Sequence, residues 1–227
     1  MLFSKKLSKP MSSQLSRMAP LLGVIGLVCG CQYLGREKEF EGKIVYRTAL
    51  TGPNAEMLSL LLKPQQVSLT VYYKGDRLRF EESGQTILVD YQQDSLTLLA
   101  PETRQYFTVS LEEVRKDRRS SFRVERLPEE REILGHACAG YKVFGDKGDT
   151  IIYWEAKDLG ITSAASQMYL LLPSGVVLKG VPLAFELPIP NTPIRLRREA
   201  EEIQPGEVEE SIFEVPATYT RIEKKDL

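Results

Sequence analysis

VSLTVYYKGDRLRFEE, residues Val67–Glu82, decides how the chain is read. Val67, Leu69, Val71 and Tyr73 alternate with Ser68, Thr70 and Tyr72. After Lys74-Gly75-Asp76 the alternation resumes, with Leu78 and Phe80 between Arg77, Arg79 and Glu81. A period of two with a Gly-Asp turn in the middle is a strand, a tight turn and a second strand, one face covered and the other wet. Working outward, Phe40, Gly42, Ile44 and Tyr46 repeat the pattern. Further strands are expected at Gln85–Tyr91, Ser95–Leu99, Gln105–Val109, Cys138–Phe144, Thr150–Glu155, Val176–Val181, Ala184–Leu187, Ile194–Ala200 and Val208–Phe213. Turn residues recur about every ten positions, at Glu82-Ser83-Gly84, Gln92–Ser95 and Ala100–Thr103, which favours an antiparallel meander over βαβ units. Three stretches break the pattern and are expected as helices. Asn54–Leu62 is closed by Lys63-Pro64, Ser110–Phe122 opens on a capping box of Ser110 and Glu113, and Ser163–Leu172 ends at Pro173. The fold class is mainly β with a helical minority (α+β), in a single domain over residues 40–227.

Of 227 residues, 42% are hydrophobic and 27% charged, which places the chain among globular proteins. The first 30 residues hold Lys5, Lys6, Lys9 and Arg17 and no acid. Removing those four of the 30 basic residues leaves 26 against 31 acidic, a net charge of −5 for the body. Nucleic acid is therefore not an expected partner, because binding phosphates needs clustered Lys and Arg. The densest basic run, Arg115-Lys116-Asp117-Arg118-Arg119, is short and has no interleaved aromatic.

The first 30 residues are built like an export signal: a basic start, an apolar core from Met18 to Val28, then small residues. That core falls short of the roughly 20 residues needed to span a bilayer. Leu27-Val28-Cys29-Gly30-Cys31 resembles the lipobox of bacterial lipoproteins, with Val28 and Gly30 in the places that motif requires before Cys31. Cys31 is the expected lipidation site, residues 1–30 the signal that carries Cys29 away, and residues 31–39 the lipidated cysteine and its tether. The resemblance implies a diacylglyceryl group on the sulfur. One chain binds a membrane only marginally, at about 0.8 kcal/mol per buried CH₂, whereas two or more give a durable anchor. Gln32, rather than Asp, follows the cysteine, which by analogy implies the outer membrane, facing the periplasm. The plain alternative is a signal peptide whose thiols are incidental.

Any Ser-His-Asp or Cys-His arrangement would have to pass through His136, the single histidine. It lies two residues from Cys138, so both side chains share a strand face and a reactive thiol pair is one reading. A buried structural thiol is the other, and the one adopted. Metal sites lack enough Cys and His ligands, and no cofactor is expected. The doublets Glu81-Glu82, Glu129-Glu130, Glu201-Glu202 and Glu209-Glu210 point to opposite faces of a strand and are not acid–base dyads. No GxSxG, P-loop or GxGxxG pattern occurs.

Four stretches in order resemble the family of exported bacterial proteins known as domain of unknown function 4412. They are Val89-Asp90…Leu96…Leu98…Pro101…Tyr106, then Ile133–Val143 as I-x-G-x-x-C-x-x-Y, then Ile151-Ile152-Tyr153-Trp154, then Phe213…Pro216…Tyr219. The charged stretch Arg195–Glu210 matches nothing in this pattern. The resemblance implies a fold similar to the lipoprotein carrier LolA and its receptor LolB. That is a strongly curved antiparallel sheet forming an incomplete barrel, with two or three helices on the concave side. It implies a non-catalytic protein whose ligand is a lipid or a lipoprotein acyl chain. The alternatives are a scaffold of the same fold without a cavity, or a thiol-dependent enzyme. Met57, Leu58, Leu60, Leu61 and Leu62 suit a packed core as well as a pocket.

Overall fold

The structure is a computed structural model, and it describes residues 39–60, 68–117, 121–145, 150–162, 164–167 and 175–223. These build twelve strands: β1 (Gly42–Thr51), β2 (Ser68–Lys74), β3 (Arg77–Glu82), β4 (Gln85–Asp90), β5 (Ser95–Ala100), β6 (Gln105–Ser110), β7 (Phe122–Ile133), β8 (His136–Gly145), β9 (Thr150–Ala156), β10 (Val181–Pro188), β11 (Arg195–Pro205) and β12 (Thr220–Arg221). They form one open sheet in the order β12-β6-β5-β4-β3-β2-β1-β11-β10-β9-β8-β7. Every ladder is antiparallel except the short parallel pairing of β12 on β6. The hairpin that opens the sequence reading pairs as expected, from Leu69–Glu82 to Lys74–Arg77. Gly75, with φ 54°, turns it. The next hairpin turns on Ser83 and Gly84, and the one joining β7 to β8 on Leu134 and Gly135, each pair with positive φ as a two-residue type I′ turn requires.

Connectivity bends the sheet. β6 stands second in the order and β7 last, ten strand spacings apart, which would be roughly 48 Å in a flat sheet. The chain joins them through α2 (Leu111–Asp117) and residues 118–121. A seven-residue helix adds about 10 Å and four extended residues at most about 14 Å. The two ends of the sheet must therefore approach each other, and the sheet is curved.

Side chains opposite each other in a ladder share a face. One face, here the inner one, carries Ile44, Tyr46, Leu69, Val71, Tyr73, Leu78, Phe80, Val89, Leu96, Val143, Tyr153 and Phe185, all buried in one apolar cluster. Tyr46 donates its hydroxyl to the Pro182 carbonyl at 2.8 Å and meets Tyr73 Oη at 3.3 Å, so this core holds no free phenol there. The described parts of residues 159–180 return against this face. Ala165, Ser166, Val176 and Leu178 are buried, and Thr162 bonds Gly75 at the β2–β3 turn.

Among the described residues the helices are shorter than expected. Among the described residues they are α1 (Ala55–Ser59) and α2. A seven-residue helix is not stable alone, and α2 is held by Leu111, buried in the core, and by Ser110 Oγ, which accepts the Glu112 N–H. Phe122, expected at its end, instead opens β7. Of the third expected helix, Ser163–Leu172, only residues 164–167 are described, and Ala165–Gln167 form a 3-10 turn. Leu61 and Leu62 also lie outside the described residues. Two expected strands are not strands. Val176–Leu178 is irregular, with Val176 and Leu178 buried, while Val208–Phe213 crosses the outer face. There its carbonyls at Val208 and Ile212 accept from Lys74 Nζ and Arg79 instead of from a neighbouring strand. Conversely, β7 had no counterpart in the sequence reading. Among the described residues no helix is long and apolar enough to cross a membrane.

Candidate functional site

One row of the inner face interrupts the apolar pattern. Tyr153, Phe185, Arg198 and Thr48 are successive register partners across β9, β10, β11 and β1. Arg198 is 7% exposed and Thr48 4%. The guanidinium of Arg198 reaches past the neighbouring strands to an ion pair with Glu82 on β3, and lies 5.9 Å from the Phe185 ring. Among the described residues its Nε and the Thr48 hydroxyl have no hydrogen-bond partner. A buried donor left unpaired costs about 1–3 kcal/mol, more for a charged one, so two such atoms side by side on a core face mark a polar point with unmet bonding capacity.

A second buried charge closes the other half of the same face. Glu155 on β9 is 1% exposed. It accepts the Lys179 N–H at 2.8 Å, with further bonds from the Tyr141 hydroxyl and the Gly180 N–H. Burial drives its pKa up, and those donors oppose the rise. Its role is visible in the geometry: it pins the end of the covering segment, at Lys179 and Gly180, against the sheet. Gly180 is required there, because a Cβ would collide with the Ala156 carbonyl. Tyr141 and Tyr153 stack beside it at 5.1 Å.

His136 and Cys138 lie on β8 two residues apart, as expected, yet they do not form a pair. The His136 ring bonds Asp158 at 2.7 Å, while the Cys138 thiol donates to the His136 carbonyl at 3.4 Å. Cys138 is fully buried, and burial, reinforced by the charge of Asp158, pushes its thiol up to about 11. A thiol held protonated and enclosed is a poor nucleophile. No group of three or more His, Cys, Asp and Glu suited to a metal occurs among the described residues. Cys31 lies outside the described residues.

The short motifs acquire places. Trp154 approaches Gly140, where a Cβ would meet its Nε1 at 2.9 Å, and the Arg131 guanidinium lies over its ring at 4.6 Å. Arg131 also pairs with Glu199, which Arg197 holds in turn. Phe213 packs beneath Arg77 at 5.1 Å, in the segment that crosses the outer face. That segment is tied by Lys74, which bridges Glu41 and Glu210, and by Arg77, which also pairs with Glu210. An open cleft of about 570 Å³ lies alongside, lined by Phe40, Glu41, Lys74, Asp158 and Glu207 among others.

The family model described as domain of unknown function (DUF4412) matches residues 40–170, which run from the start of β1 past the end of β9. The chain belongs to that family. The Phe213…Tyr219 motif, β10 to β12 and Arg198 lie beyond the match to DUF4412, whereas Thr48, Glu82, Cys138 and Trp154 lie within it. No curated protein matches the chain. Solved structures similar to this DUF4412 chain include PNGF-II, at 12% identity over 82% of this chain and 32% of that one, with a TM-score of 0.49. The chain thus spans about a third of that protein's length. An uncharacterized conserved protein from Thermus thermophilus is similar at 8% identity over 82% of this chain and 91% of its own, TM-score 0.49. A domain provisionally assigned to outer membrane lipoprotein sorting in Vibrio parahaemolyticus is similar at 13% identity over 76% and 89%, TM-score 0.30.

Sequence reasoning missed Arg198 as a site residue. The available signal was its spacing: Leu196 and Ala200 stand two positions either side, so Arg198 belongs to their face.

Proposed function

We propose that this protein is a non-catalytic lipoprotein, held by Cys31 at the outer membrane and facing the periplasm, whose curved sheet is an incomplete barrel that binds an acyl-bearing ligand on its inner face. The observation that carries the reading is the covering of that face. The largely apolar inner face of the sheet is covered, in the described parts of residues 159–180, by irregular chain tied down at Gly75 and Glu155 rather than by a second sheet. Such a cover, packed through Ala165, Val176 and Leu178 and tied at those polar points, can part to admit a chain where an interlocked second sheet cannot. The lipobox resemblance at Cys31 supports the anchor and the compartment.

Metabolic labelling with a clickable fatty acid tests the anchor. Label is expected on wild type and Cys29→Ala and lost from Cys31→Ala; label persisting in Cys31→Ala would end the assignment. Organic extraction of the purified full-length protein tests the ligand. Non-covalent acyl lipid in stoichiometric amount is expected, and an extract no richer than a detergent-only control would contradict it. A second reading, a scaffold with a filled core, is favoured by Met57 and Leu60, exposed on and next to α1. An empty extract together with a crosslinked protein partner at α1 would select it.

A further inference from the structure

Arg198 is the one buried cation among the described residues. A guanidinium cannot shed its proton when buried, so it must be answered by partners. The partners present answer it in part. Glu82 takes one Nη, and among the described residues Nε remains open, as does the hydroxyl of Thr48 directly across the β1–β11 ladder. Side chains so paired have Cβ atoms about 5 Å apart, close enough for both donors to serve one acceptor group. Glu82 is 35% exposed, so its carboxylate can turn to water while Arg198 cannot. Around the pair the surface is apolar. Phe185 flanks the guanidinium, and the next register pair on the same face is Leu50 with Leu196. Beyond Leu50 the chain enters α1, where Met57 and Leu60 are exposed.

We propose that Arg198 and Thr48 form the head-group site for the carboxylate of an acyl ligand, with its chain running along Leu50 and Leu196 toward α1. This rests on the acyl-binding reading above and names the chemistry of its ligand. Arg198 Nε and the Thr48 hydroxyl donate to the carboxylate oxygens. The head carries one negative charge: a carboxylate replaces Glu82 one for one as that side chain swings out, whereas a phosphate dianion leaves the single guanidinium outnumbered.

The test is displacement of a fluorescent fatty acid from the full-length protein held in amphipol, by dodecanoate, dodecan-1-ol and dodecyl phosphate. Dodecanoate is expected to bind about tenfold tighter than the alcohol, the value of one charge-assisted hydrogen bond. Thr48→Val keeps the side-chain shape and is expected to narrow that preference severalfold. Glu82→Gln is expected to widen it. Arg198→Gln should abolish it, and Thr48→Val stands in where that variant fails to fold. Acid and alcohol binding alike would remove the head-group site and leave the acyl reading standing. A phosphate preference above tenfold would overturn the carboxylate assignment. Failure of all three probes would overturn both readings.

Discussion

Gly140 shows what a single missing carbon does. Its bare Cα leaves room for the only tryptophan, Trp154, against β8, and an added Cβ would also press Leu127 at 3.0 Å. Gly140→Ala is expected to force Trp154 outward, costing about 1–3 kcal/mol as overpacking does. Trp154 fluorescence should shift to the red and the denaturation midpoint should fall; an unchanged spectrum and midpoint would show that the indole relaxes freely. The sequence reading placed Gly140 and Trp154 in motifs without seeing that they touch, because contact across the β8–β9 ladder depends on register. The same holds for Arg198. In Arg195-Leu196-Arg197-Arg198 three arginines look alike, and only the strand's phase turns Arg198 inward while Arg197 faces Glu199 outside. The two-residue offset of His136 and Cys138 was legible, but not the direction of the imidazole, which Asp158 decides from another loop.

At the scale of elements, alternation made the strands readable wherever one face is covered, as in β1 to β5. β7 escaped because it is an edge strand, charged on both faces and exposed along most of its length, with Pro128 inside it. Edges are kept polar because unpaired backbone invites a second chain. Val208–Phe213 misled in the opposite direction. Its last four residues, Glu210–Phe213, close into a 3-10 turn and its carbonyls serve side chains of the outer face, so no ladder forms. That crossing segment should be sensitive to acid. Glu210 is held below its ordinary pKa by Arg77 and then Lys74, and Glu41 by the Val208 N–H and then Lys74. Groups whose folded pKa is depressed stabilise fully above the ordinary value of 4.5 and cease to do so as pH falls through the folded one. Hydrogen-exchange protection of residues 208–222 is therefore expected to drop below pH 4.5 before that of β1 and β2. In Glu210→Gln the segment's acid-sensitive step should shrink. Protection of the segment that falls no earlier than that of β1 and β2 would show that the ion pairs, which are exposed, contribute nothing to the crossing.

For the whole molecule, the fold class and the antiparallel meander were legible in the periodicity, whereas the curvature was expected only through the family resemblance. It follows from a connection too short to span a flat sheet, a property of topology that no local pattern contains. Curvature is also what gathers Thr48, Glu82, Phe185 and Arg198, drawn from four strands, at one place on one face. The account's central claim is that this inner face takes an acyl chain. Photocrosslinking of the full-length protein with a diazirine-bearing long-chain fatty acid, followed by peptide mapping, tests it most directly. The account predicts saturable labelling confined to β1, β10, β11 and α1, displaced by unlabelled fatty acid. Labelling spread over the outer face, or none that saturates, would contradict it.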